Sequence, residues 1–221
     1  LAEAAPHADG PVIARTGGIP FFVEILRAWR DGQAVIPVEK DAPGPVLSRA
    51  PEPQIRLVKH TPGAAGIPRG IFFAAPQIIA DAERLIGTMN LTPEVPNFAV
   101  VSLSHSYGFS SIVLPMLLGG VPLRLVEFPF PRVVEEALSH HASVTVAAVP
   151  SMWRAWHRSG ILRNAPIRLA VSAGAPLALS LEHDVFEQSG LKIHNFYGAS
   201  ECGGIAWDDS ETPRTSANIL G

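Results

Sequence analysis

Asn195-Phe196-Tyr197-Gly198-Ala199-Ser200-Glu201-Cys202-Gly203-Gly204 packs an aromatic ring, a glycine, a hydroxyl and a carboxylate into the five positions from Tyr197 to Glu201. It follows an apolar run, Leu191 to Ile193, that reads as a short strand. A strand end that feeds a glycine-containing turn is where open α/β sheets hold ligands. An aromatic face covers a flat ring, a hydroxyl donates to a phosphate oxygen, and a carboxylate holds a hard cation such as magnesium. The combination suits a nucleotide that carries a metal, whereas a plain strand end and turn with one exposed acid would leave the same residues.

Upstream, Ile167 to Ser172 reads as a strand ending in Ser172-Ala173-Gly174-Ala175-Pro176-Leu177, and a helix runs from Leu179 to about Gln188. The small residues let a flat base approach the backbone, since side chains are absent there; an ordinary strand-to-helix turn is the other reading. With Tyr197 about twenty residues later, one base would have its two sides. Val144 to Val149 is a strand, and Met152, Trp153 and Trp156 follow at helical spacing, which reads as core. Leu123 to Phe128 reads as a strand and Val133 to His141 as a helix. Its Glu135, Glu136, His140 and His141 diverge around the axis and form a solvated face, not a metal site. Phe98 to Leu103 is a strand ending in Ser104-His105-Ser106-Tyr107-Gly108-Phe109, followed by a buried helix from Ser110 to Leu118. Strands alternate with helices at least four times between Phe98 and Phe196, the pattern of a mostly parallel sheet with helices on both faces.

The first hundred residues are less regular. Pro20 to Gly32 reads as a helix with Phe22, Ile25, Leu26 and Trp29 on one face, and Ala34 to Val38 as a buried strand. Asp41 to Pro53, with Pro43, Gly44, Pro45, Pro51 and Pro53, is a loop or linker. Ile55 to His60 reads as a strand, Ile71 to Phe73 as a second, and Gln77 to Met89 as a helix with Ile78, Ile79, Ala82, Leu85, Ile86 and Met89 on one side. Between the strands lies Thr61-Pro62-Gly63-Ala64-Ala65-Gly66-Ile67-Pro68-Arg69-Gly70. Its glycines could aim backbone amides at phosphates, or it could be a plain hairpin turn.

Composition narrows the function classes. The chain has 221 residues, 47% apolar, with a formal charge of −3, which gives no basic stripe for nucleic acid. One cysteine, Cys202, allows no internal disulfide and fits a reducing, cytoplasmic setting. The greasiest region, Ile112 to Leu125, is broken by Pro115, Gly119, Gly120, Pro122 and Arg124, so no transmembrane segment is expected. A serine hydrolase centred on Ser200 is excluded: a nucleophile elbow needs glycine at position 202, and no histidine follows His194.

Four motifs in order resemble those of the adenylate-forming superfamily, the AMP-dependent synthetases and ligases that include acyl-CoA synthetases. Residues 61–70 resemble its Thr-Ser-Gly-Thr-Thr-Gly-x-Pro-Lys-Gly phosphate loop, 105–108 its His-x-x-Gly turn, 172–176 its Ser-Gly-Gly-Ala-Pro turn, and 197–201 its Tyr-Gly-x-Thr-Glu signature. In the loop, Pro62, Ala64 and Ala65 stand where the family has hydroxyls, and Arg69 replaces the lysine.

The resemblance implies an α/β fold of mostly parallel sheets flanked by helices: an incomplete adenylate-forming N-terminal domain without its C-terminal lid domain. Residues 1–50 would be a partial N-terminal subdomain with the proline-rich linker, and 51–221 the adenylate-binding core. It implies ATP-dependent activation of a small carboxylic acid as an acyl adenylate, then transfer to coenzyme A or a carrier-protein thiol, with fatty acid metabolism as one setting. Arg69, Ser200 and Glu201 would be catalytic, Glu201 also holding Mg2+. Thr61, Gly63, Gly66, Ser172, Ala173, Gly174, Ala175, Pro176, Asn195, Tyr197 and Gly198 would bind the nucleotide, and His105 and Tyr107 the acyl group. The family's ribose-binding aspartate and mobile lysine-bearing domain lie beyond Gly221. These residues alone are therefore expected not to complete adenylation at a normal rate, with a separate C-terminal domain or carrier protein as partner. A non-catalytic module that retains the nucleotide or acyl slot is the alternative.

Overall fold

The computed structural model describes residues 10–61 and 69–215. Its strands form two sheets. The first has the order β1 (Val12–Arg15), β2 (Val35–Val38), β3 (Ile55–Thr61), β4 (Arg69–Ala74). The neighbours β1–β2 and β2–β3 are parallel, and β3–β4 antiparallel. Helix α1 (Ile19–Arg30) is the crossover between β1 and β2. It starts with Pro20 in its first turn and buries Phe21, Ile25 and Ala28.

The second sheet has the order β10-β9-β8-β7-β5-β6. Strands β5 (Asn97–Ala99), β6 (Leu123–Leu125), β7 (Val144–Ala148), β8 (Ile167–Ser172) and β9 (Ile193–Ala199) pair in parallel. The edge strand β10 (Gly203–Trp207) pairs antiparallel with β9. The crossovers are built from α5 (Pro131–Ser139), α6 (Pro150–Ser159), α7 (Leu179–Ser189), and a composite segment of α3 (Ser106–Gly108), a π-helical stretch (Phe109–Val113) and α4 (Leu114–Gly119). Helix α2 (Ala75–Thr88) follows β4. This is the mixed α/β architecture, mostly parallel and flanked by helices, that the alternation of elements implied.

One face of the second sheet buries Phe98, Val146, Trp153, Trp156, Val185 and Ile193. Trp153 and Trp156 are fully buried, and their indole N–H groups donate to the carbonyls of Val171 and Pro129. The other face shares a core with the first sheet: Phe21 and Leu57 pack in one cluster with Ala82 and Leu85 of α2, Ile112, and Val171 of β8. The sheets are thus joined by a continuous apolar interior, with α2 and the π-helical stretch contributing to it.

Several expected boundaries move. The strand expected over 98–103 ends at Ala99, and the buried helix begins at Ser106 and contains a π turn. The strand expected over Leu191 to Ile193 begins only at Ile193 and runs to Ala199, so Tyr197 and Gly198 lie inside a strand, and the turn falls at Ser200–Cys202. The reason is β10: pairing of Gly203 with Ala199 and Ala206 with Tyr197 holds this stretch extended. The proline-rich 41–53 carries no helix or strand, yet β2 and β3 on either side of it pair. The first sheet therefore runs across residue 50. Among the described residues no helix is long and apolar enough to cross a membrane.

Candidate active site

Ser172, the last residue of β8, pairs with Asn195 of β9. The chain leaving β8 therefore turns beside Phe196 and Tyr197, at the carboxyl ends of the parallel strands where α/β sheets hold ligands. Ala173 and Gly174 from that turn line one cavity of about 160 Å³ with Phe196, Gly198, Ala199 and Ser200. The small-residue turn and the aromatic strand thus lie on one side of the sheet around one space. That space is not filled by core side chains.

The His-x-x-Gly turn completes the wall. Ser106 donates its hydroxyl to Ser200 Oγ at 2.7 Å. Tyr107 stacks on Phe196 with ring centroids 6.2 Å apart. Its phenol lies 3.3 Å from the carbonyl of Val171 and 3.4 Å from that of Ala148, at the ends of β8 and β7. Burial pushes this phenol well above its usual range, so it stays protonated and donates. Gly108 is required by close approach: a Cβ there would meet the Ser102 carbonyl oxygen at 2.0 Å.

The other expected site residues are placed as follows. Gly174, Ala175 and Pro176 are exposed along the turn, and Ser172 is buried. Tyr197, half exposed, follows Phe196 on β9 and so turns to the opposite face of the strand. Asn195 does not line the cavity. Its amide oxygen accepts from Arg214 Nε at 2.9 Å and Nη2 at 3.1 Å, inside a buried charged network. His105 is exposed and does not line the cavity either. Beside it is Glu39, which accepts from Ser102, Ser104 and Thr16. Burial would raise the Glu39 carboxyl, but these hydroxyls and the His105 charge hold it below its usual range. Thr61 and Arg69 pair across β3 and β4 and flank the glycine-rich loop; Gly63 and Gly66 lie outside the described residues.

A second cavity, of about 400 Å³, adjoins the first. Glu201, Cys202 and Gly203 line it with Leu57, Lys59 and Phe73 of the first sheet and Gln77, Asp81 and Arg84 of α2. Glu201 is an exposed carboxylate, and no group of three metal-ligating side chains occurs among the described residues. A lone exposed carboxylate is the kind of protein ligand Mg2+ takes when its other ligands come from phosphates and water.

The residues joining the two cavities were not anticipated. Lys59 lines both, is 4% exposed, and donates from Nζ to Ser110 Oγ at 2.8 Å. Ser110 donates to Asp81 Oδ2 at 2.8 Å, and Asp81 Oδ1 accepts the Gly204 amide at 3.3 Å. Lys59 Nζ also sits 5.0 Å from the Phe73 ring centroid. Burial lowers the Lys59 ammonium, with Asp81 opposing the shift. The sequence carried a faint signal: Lys59 alternates with Leu57 on the core side of β3, and Asp81 sits three residues after Ile78 on the buried side of α2.

A cavity at the carboxyl ends of the central parallel strands is the place where open α/β sheets hold small-molecule ligands. Residues 23–221 match the sequence profile of the AMP-binding enzyme family, and the chain belongs to that family. It is 28% identical over 154 residues to a 4-coumarate–CoA ligase of Rhodobacter capsulatus, an alignment covering 68% of this chain and 38% of that protein. ATP-bound MatB from Rhodopseudomonas palustris superposes with a TM-score of 0.78 at 13% identity, over 94% of this chain and 54% of that one. MenE from Bacillus subtilis in complex with AMP, an O-succinylbenzoate coenzyme A synthetase, gives 0.76 at 16% identity, over 92% and 65%. The chain spans less than two thirds of the length of each of these relatives.

Proposed function

We propose that this chain supplies the nucleotide- and acyl-binding half of an enzyme that activates a carboxylic acid as its acyl adenylate and passes it to a thiol, that of coenzyme A or of a carrier protein. One observation carries the reading: the Ala173–Gly174 turn after β8 and Phe196, Gly198, Ala199 and Ser200 at the end of the adjacent β9 line the same cavity. The purine lies along the exposed turn with Tyr197 on its other side, and Ser200 donates to the α-phosphate. The acyl group enters the cavity beside Ser106 and Tyr107.

The chemistry follows from charge. An acid's carboxylate attacks the α-phosphorus of ATP, the bond to the bridging oxygen breaks, and pyrophosphate leaves with that electron pair. The Arg69 guanidinium offsets charge developing on the phosphates, and Glu201 would hold a Mg2+ that would supply further charge stabilisation there. A binding module without turnover is the second reading. It is favoured by Pro62, Ala64 and Ala65, which remove three hydroxyls from the loop between Thr61 and Arg69.

Calorimetric titration tests the site. AMP is expected to bind saturably at one site, and Tyr197→Ala to weaken it about 5- to 150-fold, since a base on an aromatic face is worth roughly 1–3 kcal/mol. Absence of AMP binding, or an unchanged affinity in the variant, refutes the assignment. ATP–pyrophosphate exchange with a panel of acids separates the two readings: a binder takes AMP without exchanging pyrophosphate.

A further inference from the structure

We infer that Lys59 sets the acyl specificity of this site by donating hydrogen bonds to a neutral oxygen on the far part of the acid, such as a ketone, amide or hydroxyl. This rests on the reading of the cavity beside Ser106 and Ser200 as the acyl site. Lys59 lines that cavity at its junction with the 400 Å³ space, so an acyl chain that enters past Ser200 and extends onward passes its ammonium group.

Three observations point to a ligand acceptor. An ammonium has three N–H donors. Ser110 Oγ accepts one at 2.8 Å, and among the described residues the others meet no acceptor, only the face of Phe73 and the two cavities. Lys59 is 96% buried, so bulk water is a poor substitute, and a donor left unmatched in such a place is costly. The residue that holds Lys59 is itself fixed from three elements. Ser110 lies in the π-helical stretch, a distortion frequent at functional sites, and its hydroxyl donates to Asp81 of α2, which in turn accepts the Gly204 amide of β10.

Charge balance selects the kind of acceptor. Asp81, one serine hydroxyl away, already compensates the ammonium. A second carboxylate on the acid would bring an uncompensated negative charge into a buried site, at a large desolvation penalty. A neutral oxygen takes the free donors with no such penalty. An all-hydrocarbon acid leaves them unsatisfied, and a site built to hydrogen-bond its ligand discriminates strongly against analogues that lack the bonding group.

The test titrates the protein, saturated with AMP, with methyl-ketone acids of increasing length. Each is compared with its isostere carrying CH–CH3 in place of C=O and with the dicarboxylate of equal length. At one length the keto acid should bind about 10- to 100-fold tighter than its isostere, the range for a hydrogen bond to a charged group. Lys59→Met should erase that preference, the keto acid and its isostere then binding alike. Asp81→Asn, which removes the compensating charge, should move the preference to the dicarboxylate, whose second carboxylate then balances the ammonium in its place, and it serves as the test if Lys59→Met does not fold. Equal binding of ketone and hydrocarbon at every length, survival of the preference in Lys59→Met, or tightest binding of dicarboxylates by the unmodified protein overturns the inference. Failure of AMP to bind instead removes the nucleotide reading on which it stands.

Discussion

Gly203 begins β10 with φ at +74°, in the left-handed region, and a Cβ there would lie 2.2 Å from Asp81 Oδ1. The absence of a side chain is what lets α2 and the hairpin close on each other and lets Asp81 accept the Gly204 amide. Gly203→Ala therefore combines backbone strain of about 1–2 kcal/mol with displacement of a buried carboxylate. A loss of about 2–4 kcal/mol is expected in urea unfolding. Gly87 is the opposite case. It is exposed near the end of α2, has no neighbour within 4 Å of its would-be Cβ, and lacks a positive φ. Gly87→Ala should stabilise by about 0.5–1 kcal/mol through helix propensity. If Gly203→Ala is neutral, Asp81 is not the tether described.

At the scale of elements, α7 is bound to the entry of β9 at Lys192 and to the segment after β10 by buried charges. Glu182 of α7, fully buried, accepts from Lys192 Nζ and from Arg214 N and Nε at 3.0 and 2.8 Å; Lys192 also donates to Asp208 at 2.7 Å. Burial alone would raise the Glu182 carboxyl, but the Lys192 and Arg214 donors outweigh it and hold the group below its usual range. Asp208 is likewise lowered against its burial, by Lys192 and Ser210. A lowered folded-state pKa contributes stability that is present above the unfolded value, about 4 for a carboxyl, and lost as pH falls through the folded value. The Tm should be flat from neutral pH to about 5 and fall steeply below that. In Glu182→Gln it should be lower at neutral pH, by the equivalent of about 3–5 kcal/mol for one partner lost from a buried pair, with a shallower acid limb. An unchanged acid limb would count against the network. None of this was visible as a motif, because Glu182, Lys192, Asp208 and Arg214 are scattered over thirty residues and meet only through pairing. What was legible were apolar runs bounded by turn residues: the strand expected over 167–172 is β8 to the residue. Unread were β1, four residues long, and β10, whose Gly203 and Gly204 have no strand preference of their own. The π turn escaped too, since its period differs from the 3.6 that marks a helix. At the site, local motifs gave the two turns. They could not give the meeting of Lys59, Ser110 and Asp81, which depends on packing β3 and α2 against the π-helical stretch.

For the whole molecule, the question is whether the two sheets act as one unit. The core they share includes Leu57 of β3, Leu85 of α2, Ile112 of the π-helical stretch and Val171 of β8, and the polar chain from Lys59 through Ser110 to Asp81 runs between the same elements. Opening either sheet alone would expose Ile112 and break the buried Lys59–Ser110 bond, so partial opening costs nearly what global opening does. Amide hydrogen exchange should then give the same opening free energy for the ladder amides of β3 and of β7 and β8. Ile112→Ala, a buried truncation expected to cost about 2–5 kcal/mol, should lower all of them together. Because both cavities draw walls from both sheets, AMP and acid should slow exchange in the two sheets alike, by about 2.7 kcal/mol at a hundredfold excess over Kd. If β3 opens well below β8, or Ile112→Ala loosens one sheet and leaves the other protected, the shared core does not couple them. Lys59 would then be carried by an element that can part from the rest of the site.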